Sequence, residues 1–291
     1  MLTLYILLVF VLLFSFIYFS DKHFNKQIQG EISALLSSND VKNTVIPEEA
    51  LNDLPGCVKR WLHSSGIINK PAIDIVYLKQ QAEIKLRPGG KWLKANAEQY
   101  YRLNNPAFIW KVKVFLIPFL FFTGYDKYKN GKGKMLIKFL SLKTIVNSQG
   151  KEIDESELLR FLAEICWFPT AALSPLISWQ EINANSALAT MQCNGLDVSA
   201  TFSFNSDNDI IAIKAMRYRS TDNGPEKAKW AMRLYNWSNR EGVRIPIEGK
   251  VSWLLDTGAY SYYRWKIKQI AYNSLKTSPA SKQLKQDFIK I

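Results

Sequence analysis

The sequence predicts an α+β protein that is mostly antiparallel β, with a large curved sheet of about a dozen strands. The sheet is expected to form a half-barrel or open barrel with a few helices covering one side, and a transmembrane helix is expected at the N-terminus. Three observations support this fold class. Many segments after residue 73 are rich in β-branched and aromatic residues, turn sequences separate them, and residues 2–20 carry no charge.

The N-terminal run LTLYILLVFVLLFSFIYFS, Leu2–Ser20, contains 19 consecutive uncharged positions. Roughly 20 such residues cross a bilayer core as a helix. The run is longer than the apolar part of a cleaved signal peptide, no basic segment precedes it, and no small-x-small cleavage site follows it. We therefore expect residues 1–20 to be an uncleaved, single-pass anchor in the cell membrane. Lys22 and Lys26 favour a cytoplasmic body, but the side of the membrane stays open.

Between the anchor and the strands, residues 21–45 are polar and weakly amphipathic, which indicates a short helical or flexible stalk. Residues 46–66 place apolar side chains at helical spacing, so one or two short helices are expected there, broken near Pro55. The chain ends in a basic tail, residues 274–291, with four lysines and one aspartate. This tail is either a small amphipathic helix or a solvated terminus.

The strand region, residues 46–273 including its helices, is predicted as one β-rich domain. Its turns carry typical turn sequences, among them RPGGK, NNPA, KNGKG and DTG. Because consecutive segments are joined by such short turns, they are expected to pair as antiparallel hairpins. Twelve segments have strand character: IDIVYLK, QAEIKLRP, KWLKANAEQYYRL, FIWKVKVFLI, FLFFTGYDKYK, GKMLIKFLSLKTIVN, ALATMQCN, LDVSATFSFN, DIIAIKAMRYRS, KWAMRLYNWS, VRIPIEGKVSWLL and YSYYRWKIKQIAYN.

One helix interrupts the strands at residues 154–168. Asp154 is expected to cap it, with Glu157 three positions further on, and the residue before Pro169 is expected to end it at about Trp167. Most of the helix surface is apolar, so we expect it to be largely buried.

A polar stripe on this helix is the strongest candidate for chemistry. Glu157, Arg160 and Glu164 lie at i, i+3 and i+7 and share one face. In a catalytic interpretation, Glu164 is a general base whose pKa is raised by burial and moderated by Arg160. In a structural interpretation, Arg160 holds two carboxylates and ties the helix to a strand such as RYRS (217–220) or YYRW (262–265). Both interpretations stay open at this stage.

Composition bears on partners and cofactors. The formal net charge is +13, which suits anionic partners, and a membrane anchor favours lipid head groups over nucleic acid. Cys57, Cys166 and Cys193 are an odd number at wide spacing, and the chain has two histidines. We therefore predict no metal site, no disulfide framework and no cofactor. The glycine-rich stretch GYDKYKNGKGKM lacks the ligand spacing of calcium and phosphate loops and is predicted to be a hairpin turn.

Nine tryptophans are many for a chain of 291 residues. They suit either the core of a wide sheet or a concave site for an acyl chain, because both require large apolar side chains. The candidate ligand-contacting residues are Trp110, Trp167, Phe168 and Trp265.

Several segments together resemble an uncharacterised bacterial family of membrane-tethered proteins, one of the domains of unknown function. The matching segments are LPGCVKRWLHSSG at 54–66, AEQYYRLNNPAFIWKVKV at 97–114, GYDKYKNGKGKM at 124–135, DESELLRFLAEICWFPTAAL at 154–173 and YYRWKIKQIAYN at 262–273. At the level of the fold, the order of elements is similar to the half-barrel of periplasmic lipoprotein carriers. That similarity implies an extracytoplasmic body.

These observations predict a membrane-anchored binding protein for a lipid, an acyl chain or a lipidated protein held in the concave sheet. Membrane lipids are the expected partners, and no nucleic acid is expected. The alternative is a membrane-bound hydrolase or isomerase that uses Glu164 and Arg160. A scaffold with a solidly packed interior is the third possibility.

Overall fold

The computed structural model describes residues 1–37 and 44–274, so the predicted basic tail and part of the predicted stalk lie outside the described residues. Within the described residues, thirteen strands form one antiparallel sheet. The strands are β1 (Ile75–Ile84), β2 (Leu93–Arg102), β3 (Ala107–Ile117), β4 (Leu120–Lys129), β5 (Lys132–Phe139), β6 (Lys143–Ser148), β7 (Ile177–Asn183), β8 (Ser186–Cys193), β9 (Leu196–Phe204), β10 (Ile210–Thr221), β11 (Gly224–Arg240), β12 (Val243–Leu255) and β13 (Gly258–Tyr272).

The sheet is an open half-barrel in which almost all neighbours are consecutive strands. Strands β1 to β6 run outward from the centre to one edge, and β7 to β13 run from the other edge back to the centre. The exception is the central pair, β1 and β13, which joins the two halves in antiparallel register from Val76 opposite Tyr272 to Ile84 opposite Tyr263. The prediction of a curved antiparallel sheet of about a dozen strands is confirmed.

The strand boundaries differ from the prediction in three places. The first two predicted segments form the single strand β1, which bends at a bulge between Lys79 and Gln80 instead of turning. The segment GKMLIKFLSLKTIVN is divided into β5 and β6 by a turn with Leu140 and Ser141 at φ 53° and 58°. Strand β7 was missed because it is an edge strand exposed along most of its length and shows no alternation.

Three α-helices occur in the described part of the chain: α1 (Leu2–Leu36), α2 (Gly56–Ser65) and α3 (Lys151–Glu164). A short 3-10 helix at Glu48–Leu51 precedes α2, and α2 begins directly after Pro55, as predicted. Two further 3-10 turns, Ile165–Trp167 and Pro169–Leu173, follow α3 and lead to β7.

The start of α3 corrects the expected role of Asp154. The helix begins at Lys151, with Gly150 at the N-cap, so Asp154 lies inside its first turn. The Asp154 carboxylate instead accepts hydrogen bonds from the Gly133 amide at 2.7 Å and from Lys132 Nζ at 3.0 Å. This contact needs glycine at 133, because a Cβ atom there would lie 2.7 Å from the carbonyl oxygen of Ile153. Asp154 therefore joins α3 to the start of β5.

Two hydrophobic cores lie on opposite faces of the sheet. The larger lies on the concave side, beneath α2, α3 and the 3-10 turns, with Trp61, Phe161 and Phe202 among its fully buried side chains. The smaller lies on the convex side, where the second half of α1 packs against β1 to β4. Its members are Phe24, Ile28, Ile32, Leu35, Leu36, Ile75, Tyr77, Tyr100, Ala107, Ile109 and Tyr125.

Helix α1 therefore has two parts with different surroundings. Its most apolar 18-residue window has a mean hydropathy of 2.6 with no residue buried, so the helix is long and apolar enough to cross a bilayer. From Asp21 onward the same helix lies on the sheet, where Glu31 accepts hydrogen bonds from Tyr125 and Lys127. The part of the expected stalk that the structure describes as α1 is thus a docked helix.

The docking of α1 can be tested by placing a charge in its contact with the sheet. Ile32→Asp buries an unpartnered carboxylate at a fully buried position, so residues 22–36 should detach and their amides should exchange hydrogen faster. Ala34→Asp, at an exposed position two residues on, is the matched control and should leave exchange unchanged. Equal exchange in both variants would contradict this packing.

Candidate functional site

Helix α3 crosses the concave face of the half-barrel. It lies between β6 and β7 in the chain, and these are the two edge strands of the sheet. Its polar stripe faces the strands, where Arg160 reaches Asp126 on β4 and Glu157 reaches Arg217 on β10. The stripe therefore meets charged partners from both halves of the sheet.

A cavity of about 700 Å³ lies between α3 and the concave face. This is within the roughly 300–1,000 Å³ typical of small-molecule sites. Its wall is mainly aromatic and aliphatic, with contributions from both halves of the sheet, and includes Trp110, Val114, Phe122, Met135, Trp230 and Val251. The solidly packed interior expected of a scaffold is therefore absent from the described part of the chain.

The cavity has a buried floor and an exposed mouth. Glu157, Trp167 and Trp265 line the floor and are each less than 5 % exposed. Leu86 in the β1–β2 turn and Ile145 on β6 line the mouth and are more than half exposed. The cavity thus opens between the β1–β2 turn and the β6 edge, and its deepest part lies against α3.

Arg160 is the centre of the polar floor. Its Nε donates to Glu164 Oε1 at 2.9 Å and its Nη1 donates to Asp126 Oδ2 at 3.0 Å. Glu157 Oε2 lies 3.9 Å from Nη1, and Glu157 Oε1 accepts a hydrogen bond from Arg217 Nη2 at 3.4 Å. Two guanidinium groups and three carboxylates are therefore held together under α3, which satisfies the structural interpretation with a strand arginine from RYRS.

The two arginines also rest on aromatic rings. The guanidinium carbon of Arg160 lies 5.0 Å from the ring centroid of Phe108 and 4.8 Å from that of Trp110. The guanidinium carbon of Arg217 lies 5.6 Å from the ring of Trp230. Cation–π contacts of this kind are stronger away from water, so the cavity wall helps to hold the charges in place.

Glu164 is the most completely bonded carboxylate of the cluster. Besides Arg160, it accepts hydrogen bonds from Gln99 Nε2 at 2.8 Å and from the Tyr101 hydroxyl at 2.7 Å, both to Oε2. Burial, together with the negative charge of Glu164, raises the pKa of Tyr101 well above its usual value of 10.0, so the hydroxyl keeps its proton. Glu164 therefore acts as an acceptor that joins α3 to β2.

The pKa of Glu157 is raised toward neutral pH. Burial and the nearby Asp126 carboxylate raise the pKa of Glu157 from 4.5 to about 7, against the opposing effect of Arg217 and Arg160. Burial also raises the pKa of Asp126, although the Arg160 guanidinium opposes that change. With three acids and two arginines, a proton on Glu157 makes the cluster neutral.

Several polar atoms at the floor have no hydrogen-bond partner among the residues that the structure describes. They are Glu157 Oε2, Arg217 Nε and Trp167 Nε1, all on residues that line the cavity. Buried polar groups without partners are costly, and here they are gathered at the floor of a cavity whose wall is otherwise mainly apolar. When Glu157 is protonated, all three positions can donate a hydrogen bond.

The predicted ligand-contacting residues are placed differently from one another. Trp110, Trp167 and Trp265 line the cavity. The rings of Trp265 and Trp167 meet edge to face, with their centroids 4.9 Å apart. The Trp265 ring also packs over Gly249, where the Cβ atom of any side chain would collide with it. Phe168 does not line the cavity: the turn before Pro169 directs it into the core, 4.6 Å from the ring of Tyr101.

Sequence reasoning missed the partners that the sheet brings to the stripe. Asp126 belongs to the glycine-rich stretch GYDKYKNGKGKM, which predicted only a hairpin turn, but it lies on β4 opposite Trp110. The available signal was its period-2 spacing with Phe122 and Gly124, which also face the cavity. The turn prediction for that stretch is confirmed, with Asn130 and Gly131 at φ 51° and 77°. Within the described residues, no group of three His, Cys, Asp or Glu side chains is suited to hold a metal ion.

Replacement of Glu164 by glutamine should destabilise the protein by ~3 kcal/mol. The substitution removes a negative charge beside Arg160, and it places an amide group, with one acceptor oxygen, where three donors now meet a carboxylate. Chemical unfolding of the full-length chain in detergent measures this loss. Glu155→Gln, which breaks the more exposed pair with Lys227, is the matched control and should cost less than about 1 kcal/mol. Unchanged stability of Glu164→Gln would show that the residue is not structural.

The raised pKa of Glu157 predicts a pH-dependent stability. The proton bound in the folded state stabilises the protein fully below pH 4.5, and this stabilisation is lost as the pH rises to about 7. Glu157→Gln keeps the neutral form, so its stability relative to the unsubstituted chain should rise by up to ~3 kcal/mol between about pH 5 and pH 8. Glu152→Gln, near the mouth, should show no such trend. The same difference at both pH values would contradict the assignment.

Comparison with known proteins identifies the family. Three solved structures match this chain at low similarity. A LolA superfamily protein from Nitrosomonas europaea is 11 % identical at a TM-score of 0.41, covering 76 % of this chain and 95 % of its own. A domain assigned to outer membrane lipoprotein sorting from Vibrio parahaemolyticus is 6 % identical at a TM-score of 0.39, and the match covers 72 % of this chain and 91 % of that domain. A DUF1329 family protein from Desulfovibrio piger is 9 % identical at a TM-score of 0.40, and the match covers 78 % of this chain and 94 % of that protein.

At these identities and TM-scores, the likenesses carry no conclusion about function. A comparison with curated protein sequences gives no match. The match to a protein family covers residues 52–272, which is most of the chain and includes every strand and the charged cluster. The predicted membership of a family of unknown function is thus confirmed, and the chain belongs to DUF6920, a family of unknown function.

Proposed function

We propose that this chain is a membrane-anchored binding protein whose concave cavity holds a lipid or another amphipathic molecule, such as the acyl chain of a lipidated protein. The observation that carries the proposal is the cavity itself: about 700 Å³, with an apolar aromatic wall and a charged floor under α3. Helix α1, the proposed single-pass anchor, would keep the cavity beside its source of lipid.

The cavity wall favours one orientation of such a ligand. The inward-facing positions of β4 are Phe122, Gly124 and Asp126, in order from the β3–β4 turn toward the floor. The apolar tail would therefore lie near Phe122, and the polar end would lie near Asp126. Trp167, Arg217 and a protonated Glu157 line that end, and each carries a hydrogen-bond donor suited to an ester or carboxyl oxygen.

Burial of the apolar tail would provide most of the affinity. Each buried methylene contributes about 0.8 kcal/mol, so about ten methylenes contribute ~8 kcal/mol before the costs of association and ordering. The polar floor would add selectivity for ligands with a hydrogen-bond acceptor, because any other ligand would leave the buried donors of the floor unpaired.

The alternative of a hydrolase or isomerase that uses Glu164 receives no support from the geometry. A general base needs a free acceptor directed at its substrate, whereas Glu164 already accepts from Arg160, Gln99 and Tyr101. Glu157 Oε2, by contrast, accepts no hydrogen bond from the residues that the structure describes. The neighbours of Glu157 in the floor, Arg217 and Trp167, carry hydrogen-bond donors and are suited to binding a ligand.

Photocrosslinking tests the proposal. The full-length chain is reconstituted in liposomes that contain a phospholipid with a diazirine on its acyl chain, irradiated, and digested for mass spectrometry. Crosslinks should form on cavity-facing positions of β3, β11 and β12, in addition to α1. Val251→Trp fills part of the cavity and should suppress the crosslinks in the strands.

The matched control is Lys250→Trp, which adds the same side chain to the opposite face of β12. It should leave the crosslinks in the strands unchanged. Crosslinks confined to residues 2–20 in the unsubstituted chain would refute the proposed binding site.

A further inference from the structure

The tip of the β3–β4 hairpin is an exposed apolar surface. Twelve consecutive uncharged residues, Val114–Tyr125, include this turn. At the tip, Ile117, Phe119 and Leu120 are 58 %, 72 % and 37 % exposed. A contiguous apolar surface of this kind is typical of a contact with a membrane or another molecule.

The tip is held in a defined position relative to α1. Ser20 Oγ donates to the carbonyl oxygen of Ser141 at 3.0 Å, and Ser141 Oγ donates to Asp21 at 2.7 Å. Lys113 Nζ, on the strand that leads to the tip, lies 2.9 Å from Asp21 Oδ2. These contacts tie the helix to β3 and to the β5–β6 turn just where the uncharged run of α1 ends.

The tip extends alongside the apolar part of α1. The rings of Phe14 and Phe119 meet edge to face at 5.7 Å. Phe14 lies six residues before Ser20, which is ~9 Å along a helix. If Leu2–Ser20 spans a bilayer, Phe119 therefore lies below the head groups, at the depth of the acyl chains.

Basic side chains lie next to the tip on the side away from the apolar run of α1, at the depth where lipid head groups are expected. Lys113 pairs with Asp21, and Lys138 Nζ lies 5.0 Å from the centroid of the Phe24 ring. Lys22 is exposed on the same turn of α1. An apolar tip below a group of lysines matches the order of acyl chains and anionic head groups in a leaflet.

We propose that the hairpin tip, Ile117–Leu120, is inserted among the acyl chains of the leaflet from which α1 emerges. This inference rests on the proposed anchoring by α1. Phe122, which lines the cavity, is two residues from Leu120, so the apolar end of the cavity adjoins the leaflet. A lipid can then enter the cavity laterally without exposing its tail to water.

Depth-dependent fluorescence quenching tests the insertion. Phe119→Cys is labelled with an environment-sensitive fluorophore in the full-length chain, which is reconstituted in phosphatidylcholine and phosphatidylglycerol liposomes. The native cysteines are all buried, and the unsubstituted chain gives the background labelling. Brominated acyl chains should remove most of the emission at position 119, whereas iodide in solution should have little effect. The matched control, Lys129→Cys at the far end of β4, should show the reverse.

Two results would overturn the proposal. Quenching of position 119 by iodide alone would place the tip in water. Protection from both quenchers, with chemical crosslinking between two chains at position 119, would show that a second copy covers the tip. Failure of insertion is distinguishable from failure of the binding proposal, because quenching reports on position 119 whereas crosslinks at cavity-facing positions of β11 and β12 report on the cavity. Phe119→Asp should lower the yield of crosslinks in the strands if lateral entry is correct.

Discussion

The buried guanidinium of Arg160 connects the helix, the sheet and the cavity. A half-barrel with open edges has no second sheet to fill its concave face, so α3 must cover that face. Arg160 binds Glu164 on its own helix and Asp126 on β4, while Glu157 reaches Arg217 on β10. The charges therefore hold α3 against both halves of the sheet and leave room for the cavity beneath it. Removal of one partner leaves an uncompensated buried charge, so the cluster is a structural element as well as the floor of the cavity.

On the convex face, α1 covers the apolar side chains of β1 to β4. The same helix provides an apolar segment that is not buried by the sheet and a segment that covers Tyr77, Tyr100 and Ile109. Because both segments belong to one continuous helix, the sheet has a defined orientation relative to the proposed membrane. The strained turn at Leu140 and Ser141 contributes to this arrangement, since Ser141 bonds to Thr123 and Asp21.

The sequence was sufficient to predict local structure but not the contacts between distant segments. Alternation along strands such as β9 and turn pairs such as Asn130-Gly131 predict the sheet because they depend on neighbouring residues. The β5–β6 turn has no glycine or asparagine at its centre, so it gives no signal. Arg160 and Asp126 are 34 positions apart and meet through the curvature of the sheet, which no local pattern encodes. The docking of residues 21–36 on the convex face depends in the same way on long-range packing.

The central claim, that the concave cavity holds a lipid, is tested most directly by native mass spectrometry of the full-length chain after release from detergent. We expect one lipid molecule per folded chain, retained at collision energies that remove lipid adhering to α1, and released when the protein unfolds. A folded chain that carries no lipid, or only lipid that dissociates like the material bound to an isolated α1 peptide, would contradict it.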